Sequence, residues 1–261
     1  MKKCYVVGNP VEHSLSPTIF NYLFKKNNIN AQYLKYNAKN EDEFLKFIQS
    51  KKFHGLNITL PYKKRARTII DSTVDKIASN SINCIKNNRG ILRGYNTDEY
   101  GFLKMIKNLN YNFNNYDILI LGNGGSASTI FHALINELNN DLFIWGRNKT
   151  NVVKFIQELS SNRIRLYEKN TNKPLIIINC ISLDIDKRSV NSILKNISHN
   201  NIKLFIDLNY VETNLSLMLK NKKVNVVLGK DMFIFQALKT YEIWFGRHNS
   251  SYNDIKRLLD Q

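Results

Sequence analysis

Along this chain short apolar runs alternate with stretches in which apolar residues recur every three or four positions, a pattern that predicts strands covered by helices. In the first hundred residues the strand candidates are YVVG (5–8), AQYLKYN (31–37), GLNITL (55–60) and SINCI (81–85). Between the first two, SPTIFNYLFKKNN has Ser16 as an expected helix cap and Pro17 at the first helical position, with Phe20, Leu23 and Phe24 on one face. Residues 82–93 read as a hairpin turning at 87–90. From Asp98 a helix, EYGFLKMIKNL, leads into a polar stretch at 108–115, where the chain is expected to cross into a second domain.

The second half restarts the alternation. YDILILG (116–122) is a strand core ended by glycine, and the helix after it carries Ala127, Ile130, Phe131, Leu134, Ile135 and Leu138 at helical spacing. LFIW (142–145), PLIIIN (174–179), KLFIDL (203–208) and VNVVLG (224–229) complete a doubly wound sheet. Two terminal helices, DMFIFQALKTYEIWFG and SYNDIKRLLDQ, are expected to pack back on the first half. The fold class is therefore α/β, with residues 1–101 and 232–261 in one domain and 102–231 in the other.

Composition narrows the function classes. The 261 residues are 43% hydrophobic, enough for two modest cores. The apolar run after Lys2 and Lys3 ends at Gly8, too short for a signal peptide, and no run nears the roughly 20 residues of a membrane span. A soluble, cytoplasmic protein with no membrane association is expected. Cys4, Cys84 and Cys180 are odd in number and far apart, so they read as reduced thiols, with no metal site. A net charge of +17 raises nucleic-acid binding as a rival class, but the lysines are spread along the chain with no recognisable module, so no specific nucleic-acid partner is expected. A positive field would still favour an anionic substrate and a phosphate-bearing cofactor.

LGNGGSAS (121–128) supplies the candidate cofactor cradle. Gly122 permits the tight turn, Gly124 lets a pyrophosphate approach the backbone and Ala127 allows close helix packing, with Asn123, Gly125 and Ser126 around them at a helix N-terminus. At the end of the next strand an NAD site commonly has an acid. Here Gly146 is followed by Arg147, Asn148 and Lys149, which favours the 2′-phosphate of NADP. The plain alternative is a pair of exposed basic residues in a basic protein.

GNPVEHSLSP, GLNITLPYK, SIN, GYNTDEYG, GNGGSA and DMFIFQAL together resemble, in order and spacing, the shikimate dehydrogenase family over about residues 5–246. The resemblance implies an N-terminal α/β substrate-binding domain, a Rossmann-like NADP domain and a catalytic cleft between them. It implies reversible NADP-dependent reduction of 3-dehydroshikimate to shikimate, on the route to chorismate and aromatic amino acids, by a monomer or homodimer. It makes Lys63 and Asp98 the catalytic pair, with the ammonium donating to the forming alkoxide and the carboxylate orienting it. It makes Ser14 and Ser16 a clamp for the substrate carboxylate, and it places Asn57, Thr59, Asn83, Tyr210 and Gln236 near the ring. Gly229 and Met232 fall beside the nicotinamide. Read without the resemblance, Lys63 is a solvated lysine at a helix start and Asp98 a helix cap.

The chain departs from the family at four points: Cys84 replaces a usual threonine, Ile181 in NCISLD (179–184) lacks the hydroxyl expected near the cofactor, Asp231 replaces a glycine, and the segment after Tyr210 lacks the usual proline and threonine arrangement. Three alternatives stay open at this point. They are a quinate/shikimate dehydrogenase using NAD(P), a basic nucleic-acid-binding protein on a nucleotide-binding fold, and a catalytically silent cofactor-binding protein.

Overall fold

The structure, a computed structural model, describes residues 1–73, 80–168, 173–181, 187–195, 197 and 201–260, without the side chains of 187, 188, 190 and 194. The chain forms two compact units, Met1–Lys104 with Ile234–Gln261, and Met105–Phe233. The division falls inside a helix on each side, so the polar stretch at 108–115 lies within the second unit rather than at its border.

The first unit carries a six-stranded sheet in the order β2-β1-β3-β5-β6-β4. β1 (Lys2–Gly8) lies parallel to both β2 (Ala31–Asn37) and β3 (Gly55–Ile58). β5 (Cys84–Asn88) and β6 (Ile91–Tyr95) form the hairpin, with β5 antiparallel to β3, while β4 (Ser72–Thr73) pairs parallel with β6. The strand expected at 81–85 thus starts at Cys84. Ser81 to Asn83 are held outside the ladder instead, where Ile82 N–H donates to Lys63 O at 3.0 Å and Asn83 N–H to Tyr95 O at 3.2 Å.

α1 (Ser16–Lys26) buries Ile19, Phe20, Leu23 and Phe24, the face its spacing predicts. Ser16 is not its cap: Leu15 holds that position, and Ser14 Oγ accepts from Ser16 N–H at 3.3 Å. The Ser16 side chain turns inward, where it is hydrogen-bonded with the Tyr33 hydroxyl. α2 (Glu41–Gln49) contributes Phe44 and Ile48 to a core with Val7, Leu56, Ile58, Ile82 and Ile85. α3 (Lys63–Ala66) is a single turn and α4 (Thr97–Lys107) follows β6.

The second unit is an all-parallel sheet, β12-β11-β10-β7-β8-β9. Its strands are β7 (Asp117–Leu121), β8 (Leu142–Trp145), β9 (Ile164–Leu166), β10 (Leu175–Asn179), β11 (Ile202–Asp207) and β12 (Val226–Leu228). The order reverses at β7, the switch point at whose carboxyl end open α/β sheets bind ligands. β7 and β10 are buried on both faces, which explains their continuous Ile and Leu runs. Helices α5 (Gly125–Glu137), α6 (Lys149–Leu159), α7 (Lys187–Lys195) and α8 (Asn214–Asn221) connect the strands.

α9 (Lys230–Phe245) and α10 (Tyr252–Leu259) end the chain. Trp244 packs beside Phe20 and Tyr33 and donates from Nε1 to Ile85 O at 3.0 Å. His54 Nε2–H donates to Trp244 O at 3.2 Å, and burial, with Lys2 and Lys86 adding to it, lowers the imidazole pKa below its ordinary 6.5. The unfolded chain therefore takes up a proton that the fold resists, so stability is full above pH 6.5 and is lost as pH falls below it. His54→Gln keeps a donor without a charge, and its melting temperature is expected to fall less between pH 7 and pH 5 than that of wild type in a thermal-shift series.

Candidate active site

Lys63 opens α3 and Asp98 is the second residue of α4, 35 positions later, yet their side chains meet: Nζ lies 2.6 Å from Asp98 Oδ2. The two side chains are only 14% and 13% exposed, which strengthens the attraction over that of a surface pair. Asp98 is free for this because Asn96 caps α4, its Oδ1 accepting from Asp98 N–H at 3.0 Å and Glu99 N–H at 3.3 Å. The cap reading for Asp98 itself is thereby corrected.

Asp98 Oδ1 accepts a second bond from Asn83 Nδ2 at 2.7 Å. Asn83 is oriented by Thr97, whose backbone N–H donates to its Oδ1 at 2.7 Å. Asn57, buried on β3, donates from Nδ2 to Asn83 O at 3.2 Å and accepts at Oδ1 from the Tyr33 hydroxyl at 2.8 Å. Both asparagines are therefore organised by the protein and act from fixed orientations. Gln236, 8% exposed on α9, presents Oε1 3.4 Å from Thr97 Oγ1. Thr59 is half-buried at the end of β3, and its hydroxyl has no partner among the described residues. Ser14 and Ser16 stand at the start of α1. The first unit thus gathers most of the residues expected around the substrate.

Tyr33, Thr97 and Thr240 join this network and were not picked out from the sequence as site residues. Thr240 had a signal: it lies four residues after Gln236, on the same face of the helix. Cys84 lies beside it, fully buried and hydrogen-bonded with the Thr240 side chain, and burial pushes its thiol up to about 12. Cys4 is pushed up as well, so both are unreactive thiols.

In the second unit Gly122 has φ 107° and donates its N–H to Trp145 O at 2.8 Å, the tight turn that only glycine makes without strain. Gly124 is the N-cap of α5, exposed, and a Cβ built there meets nothing within 4 Å. Open space over free helix N–H groups fits a pyrophosphate. Gly125 and Ala127 are buried under the turn, while Asn123 and Ser126 are half-buried. Arg147 is exposed and has no ion-pair partner among the described residues. Asn148 caps α6 by accepting from Asn151 N–H at 3.0 Å, and Lys149 reaches Glu168 Oε1 at 3.4 Å, an exposed pair worth under about 1 kcal/mol.

Gly229 donates its N–H to Asn209 O at 2.9 Å, and a Cβ there would sit 2.2 Å from Leu208 O, so a side chain is excluded. Met232 is buried in the first turn of α9, where Asp231 also stands. Tyr210 packs on Phe233 at 4.9 Å within this second unit. Ile181 fills the space against Gly122, whose Cβ would lie 3.3 Å from its Cγ1, while residues 182–184 of NCISLD are outside the described residues.

Behind these loops sits Asp207, fully buried at the end of β11. It accepts from Thr213 Oγ1 at 2.6 Å, Asn209 Nδ2 at 2.7 Å, Asn209 N–H at 3.0 Å and Asn179 Nδ2 at 3.1 Å. Burial still raises its carboxyl above the ordinary range. Among the described residues no cluster of His, Cys, Asp and Glu could hold a metal ion, and no helix is long and apolar enough to cross a membrane.

Comparison with known proteins agrees in both units. Residues 6–85 match the family described as the shikimate dehydrogenase substrate binding domain. A shikimate dehydrogenase (NADP(+)) of Clostridium botulinum is 34% identical over 92% of this chain and 95% of its own length. That of Aquifex aeolicus is 31% identical over 92% and 90%. The crystal structure of shikimate dehydrogenase from Aquifex aeolicus superposes with a TM-score of 0.85 at 27% identity, covering 100% of this chain and 98% of that one. On sequence, fold and the glycine turn alike, the chain belongs to the shikimate dehydrogenase family.

Proposed function

We propose that this chain catalyses the reversible NADP-dependent reduction of 3-dehydroshikimate to shikimate, with Met1–Lys104 and Ile234–Gln261 binding substrate and Met105–Phe233 binding cofactor. The observation that carries the reading is the half-buried Lys63–Asp98 pair at 2.6 Å, with Asn83 on the second carboxylate oxygen. NADPH supplies the hydride for the carbonyl carbon. As charge develops on the carbonyl oxygen, Lys63 Nζ donates a proton to it, and in the reverse direction the neutral amine takes that proton from the alcohol. Asp98 keeps the ammonium aimed, and its acceptor oxygens also suit a ring hydroxyl. Ser14 and Ser16 hold the ring carboxylate so that one carbonyl faces the hydride donor. Asn57, Thr59, Asn83, Gln236 and Tyr210 complete the substrate set.

Gly122, Asn123, Gly124, Gly125, Ser126 and Ala127 cradle the pyrophosphate, Arg147, Asn148 and Lys149 address the 2′-phosphate, and Gly229 and Met232 flank the nicotinamide. The protein works in the cytoplasm, as a monomer or homodimer, where its thiols stay reduced.

The test is spectrophotometric: NADPH should be consumed with 3-dehydroshikimate at a far higher kcat/KM than with NADH, or than with the 3-keto acid of quinate. In the same assay Arg147→Ala is expected to raise KM for NADPH about tenfold, the worth of one charge-assisted contact, and to leave NADH use unchanged. Absence of NADPH oxidation with 3-dehydroshikimate rejects the function. An unaltered KM for NADPH in the variant rejects only the 2′-phosphate site.

A further inference from the structure

We infer that Thr240 is a positioning residue for the proton-transfer pair, acting through Thr97 and Asn83. The inference deepens the proposed function and rests on it. A backbone N–H can only donate, so the Asn83 atom 2.7 Å from Thr97 N is its oxygen, and the amide orientation is settled. Both N–H groups of Asn83 Nδ2 are then spent, one on Asp98 Oδ1 at 2.7 Å and one on Thr97 Oγ1 at 2.9 Å. Thr97 Oγ1 accepts there, so its own proton must be directed elsewhere. Thr240 Oγ1 is the nearest partner at 3.0 Å, ahead of Asn83 Oδ1 at 3.3 Å and Gln236 Oε1 at 3.4 Å.

Thr240 is fully buried on α9 and its oxygen also lies 3.4 Å from Asn57 Nδ2. One hydroxyl from α9 thus bridges the asparagine of β3 to the threonine that opens α4. Without it, Thr97 has Asn83 Oδ1 and Gln236 Oε1 as its remaining acceptors, and Asn57 loses a partner. Asn83 is then freer to turn, and Asp98 Oδ1 loses the donor that fixes its carboxylate under Lys63. The polar groups stranded this way are buried, which is where a missing partner costs most.

Thr240→Val keeps the shape and deletes the hydroxyl, and Thr240→Ser restores it. Each is measured at 25 °C for kcat, KM of both substrates and binding of shikimate alone by calorimetry. The expected result for Thr240→Val is a kcat reduced about tenfold, the scale of one buried hydrogen bond, with KM for NADPH unchanged and shikimate affinity within about threefold. Thr240→Ser should return kcat to within about twofold of wild type. Wild-type kcat in Thr240→Val overturns the inference, and so does a serine variant as slow as the valine variant, since packing alone would then explain the loss. A crystal structure of Thr240→Val gives a readout that needs no substrate. Asn83 Nδ2 should have moved beyond hydrogen-bond reach of Asp98 Oδ1; unmoved, it overturns the inference even if wild type proves inactive on 3-dehydroshikimate, an outcome that by itself rejects only the proposed function.

Discussion

Lys63→Met is expected to lower kcat for 3-dehydroshikimate reduction about a thousandfold, equivalent to about 4 kcal/mol, the middle of the range for a positioned general acid. Methionine keeps the length of the stem and removes the ammonium, so the loss reports the proton and its charge rather than a cavity. The single turn of α3 is untouched, because Ile82 N–H bonds to the backbone carbonyl of Lys63 and not to its side chain. The proposed cofactor cradle, at residues 122–149, belongs to the other unit, so NADPH binding by fluorescence titration should be unchanged. A variant retaining more than about a tenth of wild-type kcat would remove Lys63 as the donor. Ammonium-like rescue by added primary amines would support the assignment further.

The second large effect belongs to stability. Asp207→Ala strands Thr213, Asn209 and Asn179, whose donors all converge on one fully buried carboxylate. Unpaired buried donors cost about 1–3 kcal/mol each, and the losses partly overlap, so about 3 kcal/mol is expected from the second unit in a urea titration. Asp207→Asn should cost much less. Its carboxyl is raised above the ordinary 3.8 by burial, so the ionised form already disfavours the fold. The sign follows: stability falls as pH rises from 3.8 to the raised value and is level above it. Asparagine removes that penalty while keeping two or three of the acceptor contacts. Equal losses in the alanine and asparagine variants would show that charge, and not the count of acceptors, holds the loops after β10 and β11.

How far the sequence could be read depended on whether a feature is local. β2 at Ala31–Asn37 and β8 at Leu142–Trp145 match their apolar runs to the residue. β4 and β9 have two and three residues and exist only because a neighbouring strand pairs with them, so no periodicity announces them. The segment 81–83 reads as a strand because it carries Ile82 and adjoins one, yet its hydrogen bonds go to Lys63 O and Tyr95 O. In the site, Lys63, Asp98, Asn83 and Gln236 were legible through ordered motifs, since spacing alone cannot join residues 35 apart. Tyr33 and Thr240 belong to none of the ordered motifs, so no motif in the sequence ties them to the site. Gln236 interrupts a run of apolar residues in α9, and Thr240 lies one turn later on the same face. Ser16 was assigned to capping because serine before proline commonly caps; the buried Tyr33 hydroxyl draws it inward instead.

The cap on α4 carries one consequence for how this protein tolerates change. With Asn96 securing the first turn, helix initiation and the contact with Lys63 are assigned to different codons two apart. The capping duty at position 96 asks for an oxygen on a short stem, a demand that several residue types meet, while the Asn96 amide also donates to Ser81 O. Position 98 has no share in starting the helix; its carboxylate holds Lys63 and Asn83 instead, so in a saturation library its substitutions would be read in turnover and in stability together.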